Sequence, residues 1–273
     1  MRKNILLLVL MVTGGIYAQK QDEILAEAWL LYNSEMASWH GTDIFRARFA
    51  DKADKVEGYF SYSEENKHTC IFFSNNEDPD VLASITFTDN FVPEAAVVKD
   101  TPRKFTPAEK DLYTIRQKAL QESVSDTLFK RYNNTNLNFI PLIVKNKKKV
   151  YVLTGPTVTG VVVFGNDYLI EFDKKNNITK KRALHANIIP IDYTDNPEET
   201  VTIHSHVEET GDLITATDIC TLMLYGPYTN WEQHYVVSKN NVSIWDCKKD
   251  ELLVLTREAW DRLNEHQNEN EKQ

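Results

Sequence analysis

The chain has 273 residues, 42% of them hydrophobic, which is enough to bury the core of one large domain or two smaller ones without covalent staples. Cys70, Cys220 and Cys247 are odd in number and widely spaced, which excludes a multi-disulfide framework and leaves room for a single bridge in an oxidising compartment. With 31 basic and 40 acidic residues the net charge is −9, and an acidic surface of this kind repels phosphate, which excludes a general nucleic-acid or anionic-membrane binder.

Residues 1–18 have the three parts of a secretory leader: Arg2 and Lys3, an apolar run from Ile5 to Val12, and small residues leading to Ala18. The apolar run is too short to cross a bilayer, and no later segment supplies a membrane-spanning one. The expectation is therefore an exported, periplasmic or secreted chain with no integral span. Removal of the leader leaves 29 basic against 40 acidic residues, a net of −11.

From residue 19 to 135 the pattern is α+β. Ile24, Leu25, Ala28, Leu31, Tyr32 and Met36 recur at helical spacing between Asp22 and Trp39. WHGTD, residues 39–43, reads as the stop of that helix, with Gly41 ending it and Thr42 opening a new cap. Short strands follow near 58–62, 70–74 and 81–87, separated by Asn, Asp, Glu and Pro. Thr106, Pro107 and Glu109 carry the signature of a capping box with proline at the first helical position, and Leu112, Ile115, Ala119 and Leu128 give that helix an apolar face up to about Tyr132. NNTN, residues 133–136, marks a boundary.

Residues 136–263 alternate strands and helices. Strand-like runs lie at 139–144, 150–154, 160–164 and 167–172, with Gly165 and Asn166 as a two-residue hairpin signal between the last two. ANIIPI and VTIHSH continue the strands. TDICTLMLYGP reads as a helix stopped by Gly226 and Pro227, HYVVS and VSIWDC as a hairpin, and LTREAWDRL as a final helix. Residues 264–273 form a polar tail. The fold class is thus α+β to mixed α/β: an N-terminal α+β region followed by a sandwich of strands and helices.

The chemical signal lies in TIHSHVEETGDLITATDI, residues 202–219. On a strand, His204 and His206 share one face with Thr202, and Ile203, Ser205 and Val207 share the other. Plain alternation would bury the apolar side and leave the imidazoles in water. The alternative turns both imidazoles toward a single zinc ion, which takes nitrogen ligands at about 2.0–2.1 Å. Thr215 and Asp218 likewise have an account as a helix cap, with the acid favoured by the helix dipole. A carboxylate on that first helical turn also reaches back over the strand end, completing three protein ligands and leaving a fourth position open to water.

This arrangement resembles the JAMM (MPN-type) metalloprotease family, whose signature is H-[S/T]-H-P followed, after a short loop, by S-x-x-D on a strand and its succeeding helix. The matching residues are His204-Ser205-His206 and Thr215-x-x-Asp218, within about residues 139–250. The resemblance implies an α-β-α sandwich, one Zn2+ held by His204, His206 and Asp218, Thr215 as the oxyanion donor, and a peptide or isopeptide substrate. Val207 replaces the usual proline and Thr215 the usual serine. The family's general-base glutamate falls at Thr157 in TVTGVVVFG, residues 157–165, and a hydroxyl has no basic form near neutral pH. Glu171, Glu208 or Glu209 would have to supply a displaced carboxylate. His185 and His234 are candidates for a fourth ligand or for groups supporting the ligands. H-x-H also opens the metal site of barrel amidohydrolases, but only 67 residues follow His206, too few for that barrel. The expectation is an exported zinc-binding protein related to a metallopeptidase. A metal-free interaction module, or an envelope-associated structural protein on the same scaffold, is the alternative.

Overall fold

α1 (Arg2–Arg48) opens a computed structural model that describes residues 2–194 and 198–270, with side chains for 19–194 and 198–266. The side chains of the expected leader, residues 1–18, lie outside the described set. α1 does not stop at Gly41. The glycine stays helical, and Cys70 approaches it so closely that an added Cβ would meet the Cys70 Cβ at 2.7 Å. The residue serves a helix-to-sheet contact, and Thr42 bonds back to the Trp39 carbonyl within the helix instead of opening a new one.

β1 (Val56–Glu64), β2 (Lys67–Ser74) and β3 (Asp80–Phe87) form an antiparallel meander, with the short β4 (Val97–Lys99) and β5 (Arg103–Lys104) both paired to β3. α2 (Pro107–Ser125) follows, opened by the expected capping box: Glu109 N–H donates to the Thr106 hydroxyl and Thr106 N–H to the Glu109 carboxylate. It ends about seven residues before the expected Tyr132, because the Asp126 carboxylate accepts from Leu128 N–H and turns the chain out of the helix.

β6 (Thr135–Val144), β7 (Lys147–Pro156), β8 (Val161–Gly165), β9 (Tyr168–Phe172), β10 (Ile178–Ala183) and β11 (Ile188–Asp192) come next. Gly165 and Asn166 both have the positive φ of a hairpin turn, yet β8 and β9 do not pair. β8 pairs with β11, while β9 lies between β7 and β10 in the order β10-β9-β7-β6. The turn therefore carries the chain from one sheet to another. The last sheet contains β12 (Val201–Ser205), β13 (Gln233–Val237), β14 (Asn241–Asp246) and β15 (Glu251–Thr256). β12 is an edge strand parallel to β13, and α3 (Ala216–Tyr225) is the connection between them. α4 (Arg257–Asn270) runs through most of the segment expected as a tail, and the tail's end, 271–273, lies outside the described residues.

Packing follows from which face each helix offers. Ala28 and Leu31 of α1 join α3, Trp231, Trp245 and the inner face of β6 and β7 in one core, whereas Ala37, Ile44 and Phe45 of the same helix pack on the first sheet around Cys70, Phe72 and Ile85. α2 uses Leu112 against Phe60 and Phe73, and Ile115 and Ala119 against Val150, Val152 and Ile170. Burying each large aliphatic or aromatic side chain contributes about 1.5–3 kcal/mol. All three cysteines are free thiols. No described helix is long and apolar enough to cross a membrane.

Candidate metal centre

β12 turns out to bury its polar side. Thr202, His204 and His206 are buried, whereas Val201, Ile203 and Val207 are exposed, Ile203 to 62%. This reverses plain alternation and makes the histidines the inner face of the strand. The inward placement is held by the parallel pairing with β13, in register Thr202 with His234 and His204 with Val236, and by His206 N–H donating to the Val237 carbonyl. Phe164 closes one side, stacked on His234 at 4.8 Å between ring centroids and tilted against His204 at 5.4 Å.

The loop from 206 to 215 is anchored by Ile214 N–H to the Ser243 hydroxyl (3.1 Å) and by the Ser238 hydroxyl to the Asp212 carbonyl (2.9 Å). It delivers α3 with its first turn over the end of β12. There Asp218 does both jobs that its position suggested. Its N–H donates to the Thr215 hydroxyl at 3.1 Å and its Oδ2 accepts from Thr215 N–H at 2.9 Å, which is the cap. The same carboxylate lies 3.3 Å from His206 Nε2 and 3.7 Å from His204 Nε2.

His185, from the turn between β10 and β11, is the fourth member. Its Nε2 lies 3.1 Å from Asp218 Oδ1, and one donor atom each from His185, His204, His206 and Asp218 fall within 4.8 Å of one another, all four residues buried. Tetrahedral zinc with ligands at about 2.0–2.1 Å puts neighbouring donors about 3.4 Å apart. The separation of His204 Nε2 from His206 Nε2 is 3.1 Å, and those from the Asp218 oxygens run from 3.1 to 3.7 Å. The spacing and the chemistry of the donor set therefore fit a metal ion, and this group could hold one.

The outward ring nitrogens point the same way. His206 Nδ1 faces the Leu213 carbonyl at 3.1 Å, and since a carbonyl only accepts, that nitrogen is the donor and Nε2 is the atom turned toward the centre. His204 Nδ1 faces His234 Nε2 at 2.8 Å, and His234 Nδ1 faces the Thr202 hydroxyl at 2.7 Å, a chain that lets His204 hold its proton outward in the same way. His185 Nδ1 lies 3.5 Å from Asp167 Oδ2. Buried Asp218 Oδ1 and His185 Nδ1 have no aligned hydrogen-bond partner among the described residues.

Electrostatics divide the histidines. Burial pushes His185 down, but Asp218 and Asp167 overcome it and hold the group up at about 10. Burial lowers His204 to about 4 and His234 to about 3. Asp218 would be raised by burial, yet His185 and His204 keep it well below the ordinary carboxylate range.

Of the residues singled out in the sequence, His204, His206 and Asp218 come together as expected, with His185 beside them and His234 behind His204. Thr215 is at the cap, where its hydroxyl donates to Asp218 Oδ2 at 2.8 Å. Glu171 is not part of the group: it lies on β9 in register with Lys149 and Lys180. Glu208 and Glu209 are exposed, Glu208 beside Lys239 at 3.5 Å, and Thr157 is exposed in the loop before β8. Asp167 carried no signal in the sequence, because its relation to His185 exists only once the β8–β9 and β10–β11 turns meet, with Leu184 N–H donating to the Asp167 carbonyl at 2.7 Å. No protein-family model, curated protein or solved structure matches the chain.

Proposed function

We propose that this chain is an exported zinc-binding protein on a JAMM-like framework, holding one ion through His185, His204, His206 and Asp218 in a binding and architectural role. The observation that carries the reading is the convergence of three imidazole Nε2 atoms and one carboxylate at ligand spacing, with the outward nitrogens of His206 and His204 backed by a carbonyl and a second imidazole. The strand, loop and capped helix that deliver H-x-H and T-x-x-D have the order found in JAMM metalloproteases, which supports the likeness.

The set of four donors separates a binding role from a hydrolytic one. Catalytic zinc keeps one position for water and needs a base beside it. Here His185 takes the fourth position, Thr215 spends its proton on Asp218, and none of the glutamates considered for the base belongs to the group. Peptide and isopeptide hydrolysis is the competing reading and requires His185 to leave the ion.

Elemental analysis of the purified protein after zinc loading and dialysis tests the proposal. One zinc per chain is expected, with loss of the ion in His204→Ala and no turnover of peptidoglycan fragments or isopeptide-linked substrates. Absence of stoichiometric zinc, or retention of zinc by the folded variant, defeats the assignment. Turnover abolished by His204→Ala would instead establish the hydrolytic reading.

A further inference from the structure

We propose that the cavity between α1, β1, α2 and β6 is a binding site for a small zwitterion of the amino-acid class, with its carboxylate on Arg116 and its ammonium on Glu35. The site is separate from the metal centre: Asp218 lies in the first turn of α3, while Tyr225 at the far end of that helix lines the cavity, about 10 Å further along at 1.5 Å per residue. The cavity volume is about 420 Å3, within the roughly 300–1,000 Å3 range of small-molecule sites.

Four charged side chains line this space: Asp43 and Arg46 are exposed to solvent, while the less exposed Arg116 and Glu35 face it without a hydrogen bond between them among the described residues. Arg116 enters from α2, its Nε buried with no hydrogen-bond partner among the described residues, and Glu35 acts on it only through space. A guanidinium taken out of water without an acceptor is costly, and a carboxylate can satisfy it with two parallel hydrogen bonds. Glu35 enters from α1, where its carboxylate accepts a hydrogen bond from Asn138 Nδ2 at 3.2 Å, and burial pushes its carboxyl up to about 7. An arriving ammonium would return it to the charged form. A simple anion would satisfy Arg116 and leave Glu35 facing negative charge, and a simple cation would do the reverse. A molecule bearing both signs on adjacent atoms answers both.

The remaining walls suit the rest of such a ligand. Ser38 and Ser61 bond each other at 2.8 Å and give a small polar floor between α1 and β1. Trp39, one turn after Glu35, and Tyr59 are 42% and 38% exposed at the rim, where they offer flat apolar surface to a side chain.

Calorimetric titration of the full chain with L-phenylalanine, L-leucine and glycine, followed in parallel by tryptophan fluorescence, tests the assignment. At least one of the three is expected to bind with 1:1 saturation in the millimolar range or tighter, L-phenylalanine best. Phenylacetate, lacking the ammonium, and phenethylamine, lacking the carboxylate, should each bind at least about tenfold more weakly. Arg116→Gln and the near-isosteric Glu35→Gln should each weaken binding by a similar factor. No saturable binding of any of the three amino acids overturns the proposal. So does phenylacetate or phenethylamine binding as tightly as L-phenylalanine, a comparison made on the unaltered protein that holds even if Arg116→Gln fails to fold.

Discussion

At the scale of single residues, the protonation of His185 governs how the centre takes an ion. In the metal-free protein Asp218 and Asp167 hold this imidazole at about 10, so at neutral pH it is a cation, whereas His204, at about 4, is already neutral. A ligand must offer a lone pair, so zinc has to displace the His185 proton. The sign is fixed: raising pH removes the competitor, and the apparent zinc affinity should climb roughly tenfold per pH unit from about pH 7 towards about pH 9. Calorimetry in buffers of different ionisation enthalpy should register about one proton released per zinc. A flat affinity profile with no proton release would remove His185 from the ligand set. This residue also marks the limit of what the sequence disclosed. His204, His206 and Asp218 are legible because strand and helix periodicity place them within one short stretch. His185 and its partner Asp167 meet through two turns on different strands, and nothing local in the sequence encodes that meeting.

At the scale of elements, composition sets each helix and strand, but its ends and its inner face depend on what lies opposite. The capping boxes at Thr106 and Thr215 were readable because their hydrogen bonds are made within four residues. The end of α2 was not, because an apolar residue at Leu128 continues the helical spacing while the Asp126 side chain diverts the backbone. β12 was legible as a strand, but its orientation was not: as an edge strand it leaves Ile203 outside and turns toward the buried polar cluster of His185, Asp218 and His234. The clearest case is α1, where Gly41 looks like a terminator and is instead a contact. Both Cβ atoms in a Gly41→Ala variant would be fixed to backbone, 2.7 Å apart, so neither has a rotamer to escape by. Helix propensity alone favours alanine by about 1 kcal/mol, whereas forcing the helix off the sheet costs about 1–3 kcal/mol or more. Gly41→Ala should therefore lower stability in denaturant titration. A gain in stability would show that the approach of Cys70 is not needed for the fold.

At the scale of the whole molecule, the question is whether the two halves seen in the sequence unfold apart. A chain of this length is above the size at which a single transition can be assumed. The structure supplies a reason for one nonetheless. α1 places Leu31 in the core around α3 and Ile44 in the core of the first sheet, and α2 is likewise shared between the first sheet and the β6–β7 layer. Opening either half exposes one stretch of a helix whose other stretch is still packed. Leu31 and Ile85 are both fully buried and belong to different cores, and truncating either to alanine should cost about 2–5 kcal/mol. The buried fluorophores Trp231 and Trp245 both report on the core that contains Leu31. If the shared helices couple the halves, Ile85→Ala shifts the tryptophan fluorescence transition as far as it shifts the far-UV circular dichroism transition, although Ile85 touches neither indole's core. If instead the fluorescence midpoint stays in place while the dichroism splits into two steps, the halves are independent, and α1 is a connector rather than a common element of both cores.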